Sequence, residues 1–394
     1  MAGDIAKRMS GIGAFYVMAL LQRARELERQ GKSIIHMEVG EPDFSTPAPI
    51  TQGGIAALEA GKTHYTPAVG LPELRERIAR FYRDRLGVEV APERIIITSG
   101  GSGALQLALG VTINAGDGVM MADPGYPCNR HFVRMFDGEA QCLPVGADSA
   151  YQLNASAVRA QWLPNTKAVM LASPSNPTGT LIERDEISAI NDFVQQQNGC
   201  LMIDEIYAML SYEQPAYSLL SDAPDAFIIN SFSKYFGMTG WRLGWLIAPE
   251  KYLDAIDRLA QNIFLAAPTM AQHAALAAFE PASMAIVEAR REAFRERRDY
   301  LLPALQQLGF EIATKPQGAF YLYADCSRFT HDSHAFVLDI LEKVGVAITP
   351  GCDFGDHRAN HHVRFAYTTS IENLREGVER LTDYLARPCK SEVP

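Results

Sequence analysis

Between about residues 90 and 250, short apolar runs alternate with segments of helical spacing. The runs are RIIIT (94–98), GVMMA (118–122), KAVMLA (167–172), CLMID (200–204), AFIIN (226–230) and LGWLIA (243–248). Strands alternating with helices predict an α/β domain built on a mostly parallel sheet. Polar, Gly-rich or Pro-rich stretches follow several of the runs at once: SGGSGA, DPGYP, SPSNPTG, DEIY and SFSK. Ligands of open parallel sheets bind outside the carboxyl ends of the strands. These five stretches are therefore expected to meet along one sheet edge.

The pattern changes after about residue 280. A long helix, roughly 283 to 308, carries Arg290, Arg291, Arg295, Arg297 and Arg298 interleaved with Glu288, Glu292, Glu296 and Asp299. Alternating charge predicts a solvated, salt-bridged face, not a nucleic-acid stripe. GAFYLYADC, AFVLDILEKVGVAITPG and HHVRFAYTT then predict the strand, helix and strand of a smaller α+β domain. The expected division is an N-terminal arm and helix (1–44) packing with the small domain, a large domain (45–280) and a small C-terminal domain (281–394).

Composition removes several function classes. A net charge of -10 over 394 residues disfavours nonspecific binding to nucleic acid or anionic membrane. Cys128, Cys142, Cys200, Cys326, Cys352 and Cys389 lie far apart with no CxxC pair, which points to a reducing compartment and away from disulfides or zinc. Lys7 and Arg8 precede the apolar run 11–21, but Asp4 and the following QRARELERQ do not suit a signal peptide, and the run is too short to span a membrane. A cytoplasmic protein is expected. His331 with His334, and His357, His361 and His362, lack the companions of a metal site and read as solvated loop histidines. No metal is expected.

The chemistry concentrates in the polar stretches. TSGGSGALQLAL runs from strand through glycines into a helix, where bare N–H groups suit a phosphate. It lacks both the GK[ST] of a P-loop and the spacing of a dinucleotide fingerprint. Asp204, directly after LMI, is a candidate buried carboxylate; it is either a helix cap or the counter-charge to a cationic heterocycle. NSFSKYFGMTGWRLGW sets two cations among small and apolar residues. A confined Lys234 loses some preference for its charged form and becomes a nucleophile for an aldehyde. Arg242 stays charged and suits a phosphate.

SFSKYFGMTGWRLGW, with SPSNPTG, DEIY, DPGYP and HYTPAVGLPELR, resembles the class I aminotransferases, fold type I pyridoxal-phosphate enzymes, from VGEPDF near residue 40 to VRFAY near 365. The resemblance implies a three-layer α/β/α large domain that binds pyridoxal 5'-phosphate. Lys234 would hold the cofactor covalently, and Asp204 would pair with its ring nitrogen. Tyr207 and Asn176 would bond the ring hydroxyl oxygen, and Tyr126 would stack on the ring. Gly101, Ser102, Ser231, Ser233 and Arg242 would surround the phosphate. Tyr65 would reach the phosphate of a neighbouring subunit, implying a homodimer. Arg364, helped by Gly40 and Asn176, would grip the substrate carboxylate. Taken singly, Tyr126, Tyr65, Asn176 and Arg364 also suit structural roles.

The implied activity is transfer of an amino group between an L-amino acid and a 2-oxo acid such as 2-oxoglutarate, with ping-pong kinetics. A β-elimination enzyme of the cysteine-S-conjugate lyase type shares all these residues and stays open. A regulator on the same fold would carry a basic helix-turn-helix domain before VGEPDF; barely forty residues precede that stretch here, so a regulator of that type is not expected. Ser102 stands where an aspartate-using branch of the family has a lysine, which disfavours an acidic-substrate specialist of that branch. The apolar stretch GIGAFYVM, folded over the site, would suit neutral side chains.

Overall fold

The computed structural model describes residues 5–386. Among them twelve strands form: β1 (Ile35–His36), β2 (Ile95–Thr98), β3 (Gly118–Asp123), β4 (Glu139–Pro144), β5 (Thr166–Ala172), β6 (Cys200–Asp204), β7 (Phe227–Ser231), β8 (Gly244–Ile247), β9 (Tyr321–Asp325), β10 (Val346–Ala347), β11 (Thr349–Pro350) and β12 (His362–Ala366). Seven make one sheet in the order β2-β8-β7-β6-β5-β3-β4. The six predicted strands are present to within a residue or two. The edge strand β4, EAQCLP, escaped prediction because only Gln141 of its residues is buried.

Each central strand is apolar throughout because both faces are covered. In β6, Leu201 and Ile203 join a core shared with Ile78, Ile187 and Ile190 of flanking helices, whereas Cys200 and Met202 join a second core with Leu105, Ala108 and Ile256. Alternate side chains of a strand point to opposite faces, so two cores mean helices on both sides, a three-layer α/β/α arrangement. Each fully buried Leu or Ile contributes about 1.5–3 kcal/mol.

One strand runs against the rest. β8 pairs antiparallel with both β2 and β7. Its first residue, Gly244, therefore lies beside Ser231 and Thr98, the last residues of β7 and β2. Residues preceding β8 are delivered to the same edge as residues following the other strands.

A second sheet, β11-β12-β9, is antiparallel, and β1 pairs in parallel with β10. The long helix spans Pro281–Leu308. Arg291 and Arg295 pair with Glu288 and Glu292 as expected, although Arg291 is half-buried and also donates to the Ser211 carbonyl. Arg297 and Arg298 correct that expectation, being 7% and 1% exposed. Arg297 makes two bonds to Asp43, of 2.7 and 2.9 Å, and lies 4.9 Å from the Phe44 ring centre. Arg298 is held by Glu213, Asp299 and the Pro316 carbonyl. A sequence periodicity shows which residues share a helix face, not whether a loop lies across it.

His362 is a second correction. It is not a solvated loop residue but lies buried on β12, stacked on Tyr323 with ring centres 4.6 Å apart. Among the described residues no cluster of side chains could hold a metal, and no helix is long and apolar enough to cross a membrane. Cys128, Cys142, Cys200, Cys326 and Cys352 are free thiols; Cys389 and Asp4 lie outside the described residues.

Replacing Arg297 with Met is expected to lower stability in urea denaturation by about 1–3 kcal/mol, since it strands the Asp43 carboxylate against Phe44. Asp43→Asn, which keeps an oxygen acceptor for Arg297, is expected to cost less.

Candidate active site

Five strand ends and one strand start supply most of the site, the end of β2 leading to Gly101 and Ser102. From β3 comes Tyr126; from β5, Asn176; from β6, Asp204 and Tyr207; from β7, Ser231, Ser233 and Lys234. Arg242 comes from the approach to β8. Together with Gly40, Gly101, Ser102 and Arg364, these residues line one cleft of about 400 Å³. Tyr65 alone of the predicted residues stands apart, 82% exposed at the surface.

The backbone permits this convergence at two glycines. Gly100 opens the helix Gly100–Thr112 at φ +73°, and a Cβ there would lie 2.7 Å from Arg242 Nη2. At Gly40 a Cβ would lie 2.0 Å from the Tyr321 hydroxyl. Arg242 itself sits at φ 52°, a left-handed conformation that costs a non-glycine residue of order 1 kcal/mol. The first N–H groups of the helix after Gly100 have no intrahelical acceptor. With the hydroxyls of Ser231 and Ser233, 2.9 Å apart, and the Arg242 guanidinium, they can hold a dianion.

Burial sets the charge state of both central groups. Lys234 Nζ donates to the Gly40 carbonyl at 2.6 Å and lies 5.8 Å from the ring centres of Tyr207 and Phe320. Loss of water, reinforced by the nearby Arg364 and Arg242 charges, lowers its pKa to about 8, against the opposing pull of Glu41 and Asp204. Asp204, 6% exposed, accepts one bond from Ile206 N–H at 3.1 Å. Burial raises its pKa to about 6, against the lowering effects of that bond and of Lys234. Its neighbour Glu205 lies outside the cleft, in the core, bonded to Ser218 Oγ at 2.8 Å and Leu219 N–H at 2.6 Å.

Arg364 forms the other pole. Its guanidinium lies between the rings of Tyr321 and Phe354, at 4.4 and 4.7 Å. Nη1 donates to Asn176 Oδ1 at 2.9 Å, and Nη2 to the carbonyl of Glu38 and to Thr349 Oγ1. Nε has no partner among the described residues. A guanidinium so braced can hold a carboxylate in fixed orientation. Sequence reading missed Tyr321, whose hydroxyl lies 2.7 Å from that of Tyr207, because an aromatic in GAFYLYADC looks like any core residue of a strand. It also missed Glu41, which lines the cleft and accepts from Thr239 Oγ1 at 2.6 Å.

The sequence profile of the family described as "Aminotransferase class I and II" matches residues 32–381. The chain is 38% identical over 384 residues to the (5-formylfuran-3-yl)methyl phosphate transaminase of Methanocaldococcus jannaschii, covering 97% of this chain and 99% of that one. It is 36% identical to the valine–pyruvate aminotransferase of Mycobacterium tuberculosis, over 98% of this chain and 99% of that one. The aspartate aminotransferase of Thermus thermophilus, solved with maleate, superposes with a TM-score of 0.91 at 35% identity, over 97% of this chain and all of that one.

The raised Asp204 pKa has a signed consequence for the ligand-free protein. Between about pH 4 and 6 the unfolded chain loses this proton while the folded chain keeps it, so this group's contribution to stability falls as pH rises through that window. Asp204→Asn removes the fall. Urea titrations are expected to find the variant more stable than the parent at pH 7.5 by roughly 1–3 kcal/mol, with the gap narrowing at pH 4.5.

Proposed function

The chain belongs to the aminotransferase class I and II family and is a transaminase, and from that premise we propose that it exchanges an amino group between an L-amino acid and a 2-oxo acid, with 2-oxoglutarate as acceptor. The family depends on pyridoxal 5'-phosphate, and we assign that cofactor to this cleft. The observation that carries the reading is a buried amine and a buried carboxylate in one cleft, with a braced guanidinium at its side.

The donor set fits the cofactor. Its phosphate matches the helix start at Gly101 and Ser102, the hydroxyls of Ser231 and Ser233, and Arg242. Gly244 supports close packing there, since a Cβ would lie 2.7 Å from the backbone of Gly100. A cationic ring nitrogen would relieve the desolvated Asp204. Tyr207 and Asn176 would hold the ring hydroxyl oxygen, and Tyr126 would cover the ring face.

Bound there, the cofactor supplies an aldehyde for the substrate nitrogen and a ring that draws the electron pair left when Cα loses its proton. The protein supplies position and protons. Lys234 Nζ, neutral more often than an ordinary lysine, serves as nucleophile and then takes and returns the Cα proton as general base and acid. Arg364, with Asn176 and the Gly40 backbone, fixes the substrate carboxylate and so the direction of the Cα–H bond. Both half-reactions use one cleft, so the first product leaves before the second substrate enters, a ping-pong course.

In this reading residues 45–280 carry the cofactor, and the arm 1–44 packs with the small domain 281–394 beside the substrate. Tyr65 supports a homodimer: it lies exposed and takes no part in this chain's own cleft, so in a dimer it would be free to reach the phosphate of the neighbouring subunit. Five free thiols among the described residues suit the cytoplasm.

Borohydride reduction followed by mass spectrometry is expected to place the pyridoxyl adduct on Lys234, and Lys234→Ala is expected to lose both adduct and turnover. An adduct on another residue ends the assignment. Incubation with amino acids and 2-oxoglutarate is expected to yield new 2-oxo acids and glutamate; ammonia and pyruvate would mark elimination instead. Arg364→Lys is expected to raise KM for amino acid and oxo acid alike by about tenfold or more, because an ammonium cannot reproduce a two-pronged grip. Unchanged KM values would place the carboxylate elsewhere.

A further inference from the structure

The N-terminal arm borders the cleft, and Phe15, Val17 and Met18 form part of its wall. Its helix, Tyr16–Arg29, starts without a capping side chain of its own. The cap comes from the far end of the chain. Asp353 accepts from Tyr16 N–H at 3.0 Å through Oδ1 and from Val17 N–H at 3.3 Å through Oδ2. Asp353 is 2% exposed, and its carbonyl takes Arg130 Nη2 at 2.9 Å. An ionised side chain at a helix start both satisfies free N–H groups and complements the helix dipole.

The next residue, Phe354, is the ring lying 4.7 Å from the Arg364 guanidinium. Two consecutive residues of one short turn thus hold the arm on one side and brace the carboxylate grip on the other. The cations lining the cleft, Lys234, Arg242 and Arg364, all have assigned tasks. A second carboxylate on a donor, directed at Phe15, Val17 and Met18, would meet apolar surface with no cation of the cleft left to pair with it. An apolar side chain would gain from the same surface.

We propose that Asp353 is a positioning residue that holds the Phe15–Met18 wall over the cleft and thereby sets a preference for donors with large uncharged side chains. This rests on the transaminase reading of the cleft with Arg364 at the substrate carboxylate. Asp353 touches no reacting atom; it acts through the arm.

The test compares the loaded wild-type enzyme with Asp353→Ala and Asp353→Asn, using alanine, leucine and phenylalanine as donors to one acceptor. Asp353→Ala is expected to lower kcat/KM for leucine and phenylalanine about tenfold more than for alanine, chiefly through KM. Asp353→Asn, which keeps one oxygen acceptor, is expected to recover part of the loss. Val17→Ala is expected to shift selectivity the same way and to add little on top of Asp353→Ala, since both act on one wall. Should Asp353→Ala fail to fold, Asp353→Asn and Val17→Ala carry the comparison. Equal loss for all donors, or none, overturns this proposal and leaves the transaminase reading standing. A wild-type enzyme that converts none of these donors also overturns the proposal, and the transaminase reading is then tested separately by the pyridoxyl adduct on Lys234. A readout free of turnover is amide hydrogen exchange: faster exchange at residues 16–20 in Asp353→Ala, with residues 200–204 unchanged, is expected, and unaltered protection of the arm also overturns it.

Discussion

Taking one lysine amine out of water is the constraint on which the rest of the site depends. At neutral pH an ordinary lysine leaves fewer than about one amine in a thousand unprotonated. A pKa of about 8 leaves roughly one in ten, a gain of two orders of magnitude in usable nucleophile. Desolvation alone would achieve this in any apolar core, but a core lysine would be out of reach of substrate. Here the amine is enclosed by the Tyr207 and Phe320 rings and the Gly40 carbonyl, yet borders an open cleft. The same desolvation acts on Asp204 in the opposite sense, so each group is poised to accept a partner that restores its charge balance.

The sheet explains how these groups come so close. Ligand sites at the carboxyl edge of a parallel sheet draw on loops that follow strands. Arg242 precedes its strand, and it reaches this edge only because β8 is reversed between β7 and β2. The reversal turns residues 232–243 into a loop that leaves and re-enters the sheet at one edge, with Lys234 near its start and Arg242 near its end. The left-handed backbone at Arg242 is the local cost of that return.

The side of the cleft that carries Arg364 is assembled from distant parts of the sequence. Arg364 on β12, Gly40 after β1, the arm at Phe15 and the turn at Asp353 belong to the two ends of the chain, brought together by the β1–β10 pairing and the antiparallel sheet. Arg297 bonded to Asp43 fixes the segment just after Gly40 from behind. The side that carries Lys234 and Asp204 is thus a property of one continuous sheet, and the side that carries Arg364 a property of contacts between segments far apart in sequence.

The sequence alone determined the strands from RIIIT to LGWLIA, because uninterrupted apolar runs bounded by glycine, proline and polar residues leave few other conformations, and it determined which residues flank their ends. Motif order then singled out Lys234, Asp204, Asn176, Arg242 and Arg364. Tertiary structure decided the rest. The direction of β8 leaves no trace in composition, since a reversed interior strand is as apolar as its neighbours. The edge strand β4 was invisible because one buried residue gives no period. The burial of Arg297, Arg298 and His362, the insertion of Tyr321 between Tyr207 and Arg364, and the cap supplied by Asp353 all depend on which distant segment lies across a given face. Periodicity reports how a side chain is oriented on its own element; what it meets there is settled only when the elements pack.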